Sequence, residues 1–146
     1  MKILELGHVV LYVTDIEKIS HFYREILGFP QIQKSGGIAL FSSGRTHHEM
    51  LLIEIGGSPK PPHHPEPGLY HIGFRVADSH EQLKKVYREL LQNKVQIVGL
   101  ADHTVTHSIY VLDPDGNELE LYADVTDEWK TNPELILAPT KPLRLD

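Results

Sequence analysis

The chain has no cysteine among its 146 residues, which excludes disulfides and thiolate metal sites together. It also lacks an excess of positive charge. Fourteen Lys and Arg stand against 20 Asp and Glu, a net charge of −6, so the basic face of a nucleic-acid binder is not expected. No apolar run approaches the ~18 residues that a membrane-crossing helix takes. The opening Met1-Lys2-Ile3-Leu4-Glu5 has neither the apolar stretch nor the cleavage site of a signal peptide, so a cytoplasmic protein is expected.

Histidine is what the chain has in quantity, ten in all, and 40% of the residues are hydrophobic, enough to bury a sizeable core. With so many imidazoles, some pairs resemble ligand pairs by chance. His21, His63, His64 and His80 read as surface residues, His63 and His64 because they lie among prolines.

The chain also repeats itself. Gly7-His8-Val9-Val10-Leu11-Tyr12-Val13 precedes Thr14-Asp15 and a helical pattern reaching Tyr23-Arg24-Glu25-Ile26-Leu27. Tyr70-His71-Ile72-Gly73-Phe74-Arg75-Val76 precedes Ala77-Asp78-Ser79 and a pattern reaching Tyr87-Arg88-Glu89-Leu90-Leu91. The strands repeat at an offset of 63 (8 to 71) and the helix ends at 64 (23 to 87), so one residue inserted in the second helix accounts for both. Strand, turn and helix recurring in order indicate an internal duplication.

Each copy reads as βαβββ, an α+β fold built of paired modules. Strands are expected over 6–13, 30–34, 37–43 and 48–55, with a helix to about Leu27, Thr14 and Glu17 as its capping box and Gly28 as its stop. The second copy is expected to carry a helix capped by Ser79 and Gln82 and ending near Asn93. Its remaining strands fall at 94–100, 106–112 and 117–124, with Asp113-Pro114-Asp115-Gly116 as a turn. Residues 56–68 hold five prolines and three glycines and read as a connector. The expected organisation is one domain over 1–124, with modules 1–55 and 69–124, and a C-terminal tail over 125–146 that packs as an arm.

Strand parity selects the residues that bear chemistry. His8, His71 and Glu120 fall within expected strands, and two imidazoles with one carboxylate form the facial set that leaves half of a metal's coordination sphere open, as in non-haem Fe(II) oxygen chemistry. Ser108, Tyr110 and Leu112 share one face of their strand, and Glu118, Glu120 and Tyr122 one face of theirs. His48, Met50, Leu52 and Glu54 share another. Polar groups at His48, Glu54, Tyr110 and Glu120 interrupt apolar strands and need partners.

Over 6–124 the chain resembles the vicinal oxygen chelate superfamily, and within it the catalytic half of the type I extradiol catechol dioxygenases. The resemblance rests on GHVVLYVTD, GLYHIGFRV, DHTVTHSIYVLDPDGNELELYAD and the Glu128-Trp129 pair. It implies that the paired modules form a cup-shaped mixed sheet. It implies Fe(II) held by His8, His71 and Glu120, with Mn(II), Ni(II) or Zn(II) as alternatives. His48 matches the acid–base histidine, and His103 and Tyr110 match groups that hydrogen-bond substrate and intermediates. Asp113 matches a supporting carboxylate near the turn and His107 has a counterpart in the same motif, and both are expected to bind substrate. The implied reactants are a small aromatic diol and O2. Exposed sheet edges add the expectation of a homodimer or higher oligomer, with no nucleic-acid or membrane partner.

Two other activities fit the resemblance. Glu54 reads as the repeat partner of Glu120, and glyoxalase I enzymes use carboxylates at both positions to bind Ni(II) or Zn(II) and isomerise a hemithioacetal. A protein of the same fold that only sequesters a drug would need no metal.

Overall fold

The computed structural model describes residues 1–59, 65 and 67–146. It divides into two compact units, Met1–Pro61 and Pro62–Asp146. His63 and His64 lie outside the described residues, and the described part of the 56–68 connector contains no helix or strand. Among the described residues no helix is long and apolar enough to cross a membrane.

The first unit runs β1 (Val9–Val13), α1 (Ile16–His21), β2 (Gln31–Ser35), β3 (Ile38–Phe41) and β4 (Met50–Glu54), with strand order β1-β4-β3-β2. β1 lies parallel to β4, and the other pairs are antiparallel. Gly36 and Gly37, at φ of 58° and 78°, make the two-residue hairpin loop between β2 and β3, where a side chain would be strained. Asp15 caps α1, its Oδ1 accepting from the Glu17 and Lys18 N–H groups at 2.9 and 3.0 Å. This corrects the expected Thr14 cap, since the first helical residue is Ile16 and Thr14 stands one place too early. The helix widens into a π turn over Phe22–Ile26, which narrows the angle between successive side chains and buries both Phe22 and Tyr23. They join Val13, Ile19, Phe41, Met50 and Leu52 in the core.

The second unit runs β5 (His71–Ala77), α2 (His80–Gln92), β6 (Gln96–Asp102), β7 (Thr106–Leu112), β8 (Glu118–Asp124) and a short β9 (Lys141–Pro142). Its strand order is β5-β8-β7-β6-β9, with β5 and β8 parallel. Ser79 caps α2 as expected, accepting from the Gln82 N–H at 3.3 Å, while the Gln82 side chain accepts from the Asp78 N–H at 2.8 Å. Leu83 and Leu90, two turns apart on one face, pack the helix over Ile109, Val111, Leu119, Leu121 and Ala123 in the unit's core. The 106–112 strand forms with its expected bounds. Its partner β8 presents Leu119, Leu121 and Ala123 to the core and Glu118, Glu120 and Tyr122 to the opposite face.

Candidate functional site

The polar face of the second unit is built by register. β5, β8, β7 and β6 place Gly73, Glu120, Tyr110 and Gly99 in one cross-strand row. Glu120 is the hub of the row. His71 Nε2 stands 3.1 Å from its Oε2, Ser108 Oγ donates to its Oε1 at 2.6 Å, and the Tyr110 hydroxyl donates to the same oxygen at 3.3 Å. His103 Nε2 lies 2.8 Å from the Tyr110 hydroxyl, and the Tyr110 and His71 rings meet edge to face at 5.6 Å.

Both glycines make room for this row. A β-carbon on Gly99 would lie 3.5 Å from Tyr110 Cδ2, and one on Gly73 would meet Tyr122 at 3.5 Å and Glu120 Oε2 at 3.7 Å. Burial and the Glu120 charge push the Tyr110 phenol well above its ordinary pKa, so it remains a proton donor at neutral pH. Tyr70 is raised too, first by its hydrogen bond to Glu118 and then by burial.

In the first unit the structure brings three imidazoles together. The His8 and His48 rings are 4.4 Å apart, and His47 Nδ1 lies 2.6 Å from His48 Nδ1. His8 sits just before β1 rather than within it. Arg45 holds the approach, donating to the Leu6 and Gly7 carbonyls at 3.2 and 3.0 Å and pairing with Glu5 and Glu49 at 3.1 and 3.0 Å. Burial lowers the His48 pKa, and its neighbours His8 and His47 lower it further, so the neutral base is favoured.

The structure places four residues otherwise than expected. Glu54 is not the counterpart of Glu120. In β1–β4 the register is Val9↔Met50 and Val10↔Leu51, which sets His8 opposite Glu49, as His71 is set opposite Glu118. Two residues further along, the place of Glu120 falls on Leu51. Glu54 has the other parity and its Oε2 accepts the Ile16 N–H at 2.7 Å, closing the start of α1. His107 also falls on the wrong side of its strand to join Tyr110. It faces α2, with its Nδ1 2.9 Å from His80 Nδ1 and its Nε2 3.7 Å from Asp102 Oδ1. Its contact also makes His80 a partly buried residue rather than a plain surface one. Asp113 is buried and occupied by the turn it heads, accepting from the Asp115 and Asn117 N–H groups at 2.9 Å each and from Asn117 Nδ2 at 2.8 Å.

Sequence reasoning did not single out Ser108 as a partner of Glu120, although its parity with Tyr110 was the available signal. Thr140, whose hydroxyl lies 3.3 Å from His103 Nδ1, had no such signal, because only the path of the tail brings it there.

Two of the residues have the spacing of adjacent metal donors. Donors bound at about 2.1 Å on adjacent octahedral positions lie about 3 Å apart, and His71 Nε2 and Glu120 Oε2 are 3.1 Å apart. Among the described residues no three His, Cys, Asp or Glu side chains are grouped so as to hold a metal ion, so this pair needs a further donor. His71 Nδ1 is buried with no hydrogen-bond partner, which leaves Nε2 as the nitrogen directed at the carboxylate.

The family model described as Glyoxalase/Bleomycin resistance protein/Dioxygenase superfamily matches residues 5–121. The catechol-2,3-dioxygenase of Bacillus subtilis (strain 168) is 29% identical over 119 residues, which cover 82% of this chain and 41% of the relative. The chain thus spans about two fifths of that relative's length. The metallothiol transferase FosB of Lysinibacillus sphaericus (strain C3-41) is 28% identical over 125 residues, 84% of either protein. Among solved structures, the genomically encoded fosfomycin resistance protein FosX of Listeria monocytogenes, complexed with Mn(II) and sulfate, superposes with a TM-score of 0.66. That match covers 89% of this chain and 99% of that one at 23% identity, a likeness of fold.

Proposed function

Because the chain belongs to the Glyoxalase/Bleomycin resistance protein/Dioxygenase superfamily, we propose that it is a metal-dependent enzyme, and specifically an Fe(II) extradiol dioxygenase of catechol-type aromatics. The observation that carries this reading is the His103–Tyr110–Glu120 chain beside His71, a proton-bearing phenol and imidazole placed against a metal-type carboxylate. In this proposal His71, Glu120 and His8 hold the metal. Fe(II) suits two imidazoles and a carboxylate, and when bound it supplies the open positions for both catechol oxygens and O2.

The chain's own groups move the protons. His48, favoured in its neutral form, takes one proton from a catechol hydroxyl and later returns it to an oxygen of the product. Tyr110, kept protonated by burial and by Glu120, turns its hydroxyl from Glu120 to donate a hydrogen bond to an oxygen that gains negative charge. His103 sets the direction of that hydroxyl from behind. Both atoms of O2 enter the ring-opened semialdehyde, so no external reductant is needed.

The test is anaerobic loading with Fe(II), then aerated mixing with a panel of catechols, following oxygen uptake and visible absorbance together. A yellow product with matching oxygen consumption is expected. His71→Ala is expected to lose bound iron and turnover together, and retained turnover in that variant overturns the metal assignment.

A second reading is favoured by length. The FosB match extends over 84% of both proteins, against 41% of the catechol dioxygenase. Silence on every catechol, with metal-dependent transfer of a thiol, decides for a transferase of the FosB kind. The glyoxalase I reading is less favoured, because Glu54 is engaged at Ile16 and Leu51 holds the place its second carboxylate would need.

A further inference from the structure

The C-terminal arm follows a defined course. Beyond β8 it makes short turns at Glu128–Lys130 and Pro133–Leu137, then pairs as β9 with β6, Ala101↔Pro142 and Asp102↔Lys141. Leu145 then anchors it, only 1% exposed. This course delivers Thr140 and Lys141 to one spot, the tight turn between β6 and β7 that carries His103.

The turn is strained. The Val105 N–H donates to the His103 carbonyl at 2.8 Å, closing a three-residue γ-turn around Thr104, whose φ is 72°. A β-branched residue in that region is sterically costly and persists only where its surroundings hold it. The Asp102 carboxylate accepts the Thr104 N–H at 2.7 Å, and Lys141 Nζ from the arm donates to Thr104 Oγ1 at 3.4 Å.

The imidazole on this turn lies in a hydrogen-bond chain whose direction can be worked out proton by proton. An ionised Glu120 only accepts, so the Tyr110 hydroxyl, 3.3 Å away, donates its hydrogen bond to it. The Tyr110 oxygen then accepts from His103, which places a proton on Nε2, 2.8 Å away. A neutral imidazole protonated at Nε2 has a bare Nδ1, and that atom faces the Thr140 hydroxyl at 3.3 Å. The reverse direction leaves Tyr110 and Glu120 oxygens facing each other with no proton between them.

We propose that the C-terminal arm is a working part of the second unit's site, with Thr140 as a positioning residue that holds His103 in its Nε2–H tautomer. The consequence for catalysis rests on the dioxygenase reading, whereas the tautomer rests on the hydrogen-bond geometry alone. Through His103 the arm aims the Tyr110 hydroxyl, so residues outside the βαβββ repeat set the direction of a donor inside it.

Long-range 1H–15N spectra of the full, metal-free, 15N-labelled chain, recorded well above the imidazole pKa, read the tautomer directly. The wild-type chain is expected to show His103 as Nε2–H, Thr140→Ser to keep that pattern, and Thr140→Val to give a mixed one. A wild-type Nδ1–H pattern, or a Thr140→Val spectrum identical to wild type, overturns the proposal. The wild-type spectrum decides alone should the valine variant fail to fold. In the Fe(II)-loaded enzyme Thr140→Val is expected to lower kcat about tenfold at unchanged KM, and an unchanged kcat beside an altered tautomer overturns the catalytic part. A wild-type chain with no turnover of any catechol defeats the functional reading and leaves the tautomer result standing.

Discussion

The two units share a topology and differ in what they place on one sheet face. In the second unit a cross-strand row reads Gly73, Glu120, Tyr110, Gly99, with Ser108 beside it. Matched register by register, the first unit has Val10, Leu51, Leu40 and Gln33 in the same row, with Ile38 where Ser108 stands. The three positions that bear a carboxylate, a phenol and a hydroxyl in one copy are aliphatic in the other. The helix-facing side did not diverge in the same way, since Leu52 and Leu121 are counterparts and both are fully buried. Duplication preserved the packing that each sheet needs beneath its helix and left the other face free to acquire chemistry in one copy only.

The largest expected effect tests the shared side of that comparison. Leu52→Ala and Leu121→Ala are each expected to cost about 2–5 kcal/mol, measured by urea unfolding. A cost below about 1 kcal/mol at one of them breaks the equivalence of the two helix-side faces.

A smaller effect sharpens the difference between the copies. Glu54 closes the start of α1, whereas its register counterpart Ala123 is a buried core residue and α2 is capped by Ser79. Glu54→Gln is therefore expected to lose about 1 kcal/mol of stability with metal affinity unchanged. A tenfold drop in Ni(II) or Zn(II) affinity by calorimetry would return Glu54 to the ligand set.

The smallest effect belongs to an imidazole of the second unit. Burial, with the neighbouring His80 adding to it and Asp102 opposing, lowers the His107 pKa in the folded chain. The unfolded chain then binds that proton at higher pH than the folded one. The stabilisation is present above the unfolded value of about 6.5 and lost as pH falls from there through the lower folded pKa. His107→Gln is expected to flatten the fall in Tm between pH 7.5 and 5.5, and a slope equal to wild type would contradict it.

Most of the fold was legible because hydrophobic periodicity and turn chemistry are local. The 106–112 strand, the Asp113–Gly116 turn and the Ser79 cap all follow from residues within a few places of one another. Pairing register is not local, and it assigns faces. Glu54 and Glu120 look alike by sequence spacing, but the β1–β4 register puts Leu51 at the equivalent place. His107 and Tyr110 share a motif yet differ in parity, so one faces α2 and the other Glu120. The π turn at the end of α1, which buries both Phe22 and Tyr23, is not legible in the helical pattern either. The arm's approach to His103 is the least legible feature, because nothing between 125 and 139 specifies that β9 will pair with β6.

The two glycines that end the Glu120 row have one more consequence. On either flank of the carboxylate and the phenol lies bare peptide, where the first unit carries a valine and a glutamine. A single β-carbon at Gly73 or Gly99 already reaches ordinary contact with Glu120, Tyr122 or Tyr110. Glycine has nothing left to remove, so point changes at these two positions run in one direction only. The second unit already shows the widest strip that its backbone allows, and selection at Gly73 and Gly99 can only make it more exclusive.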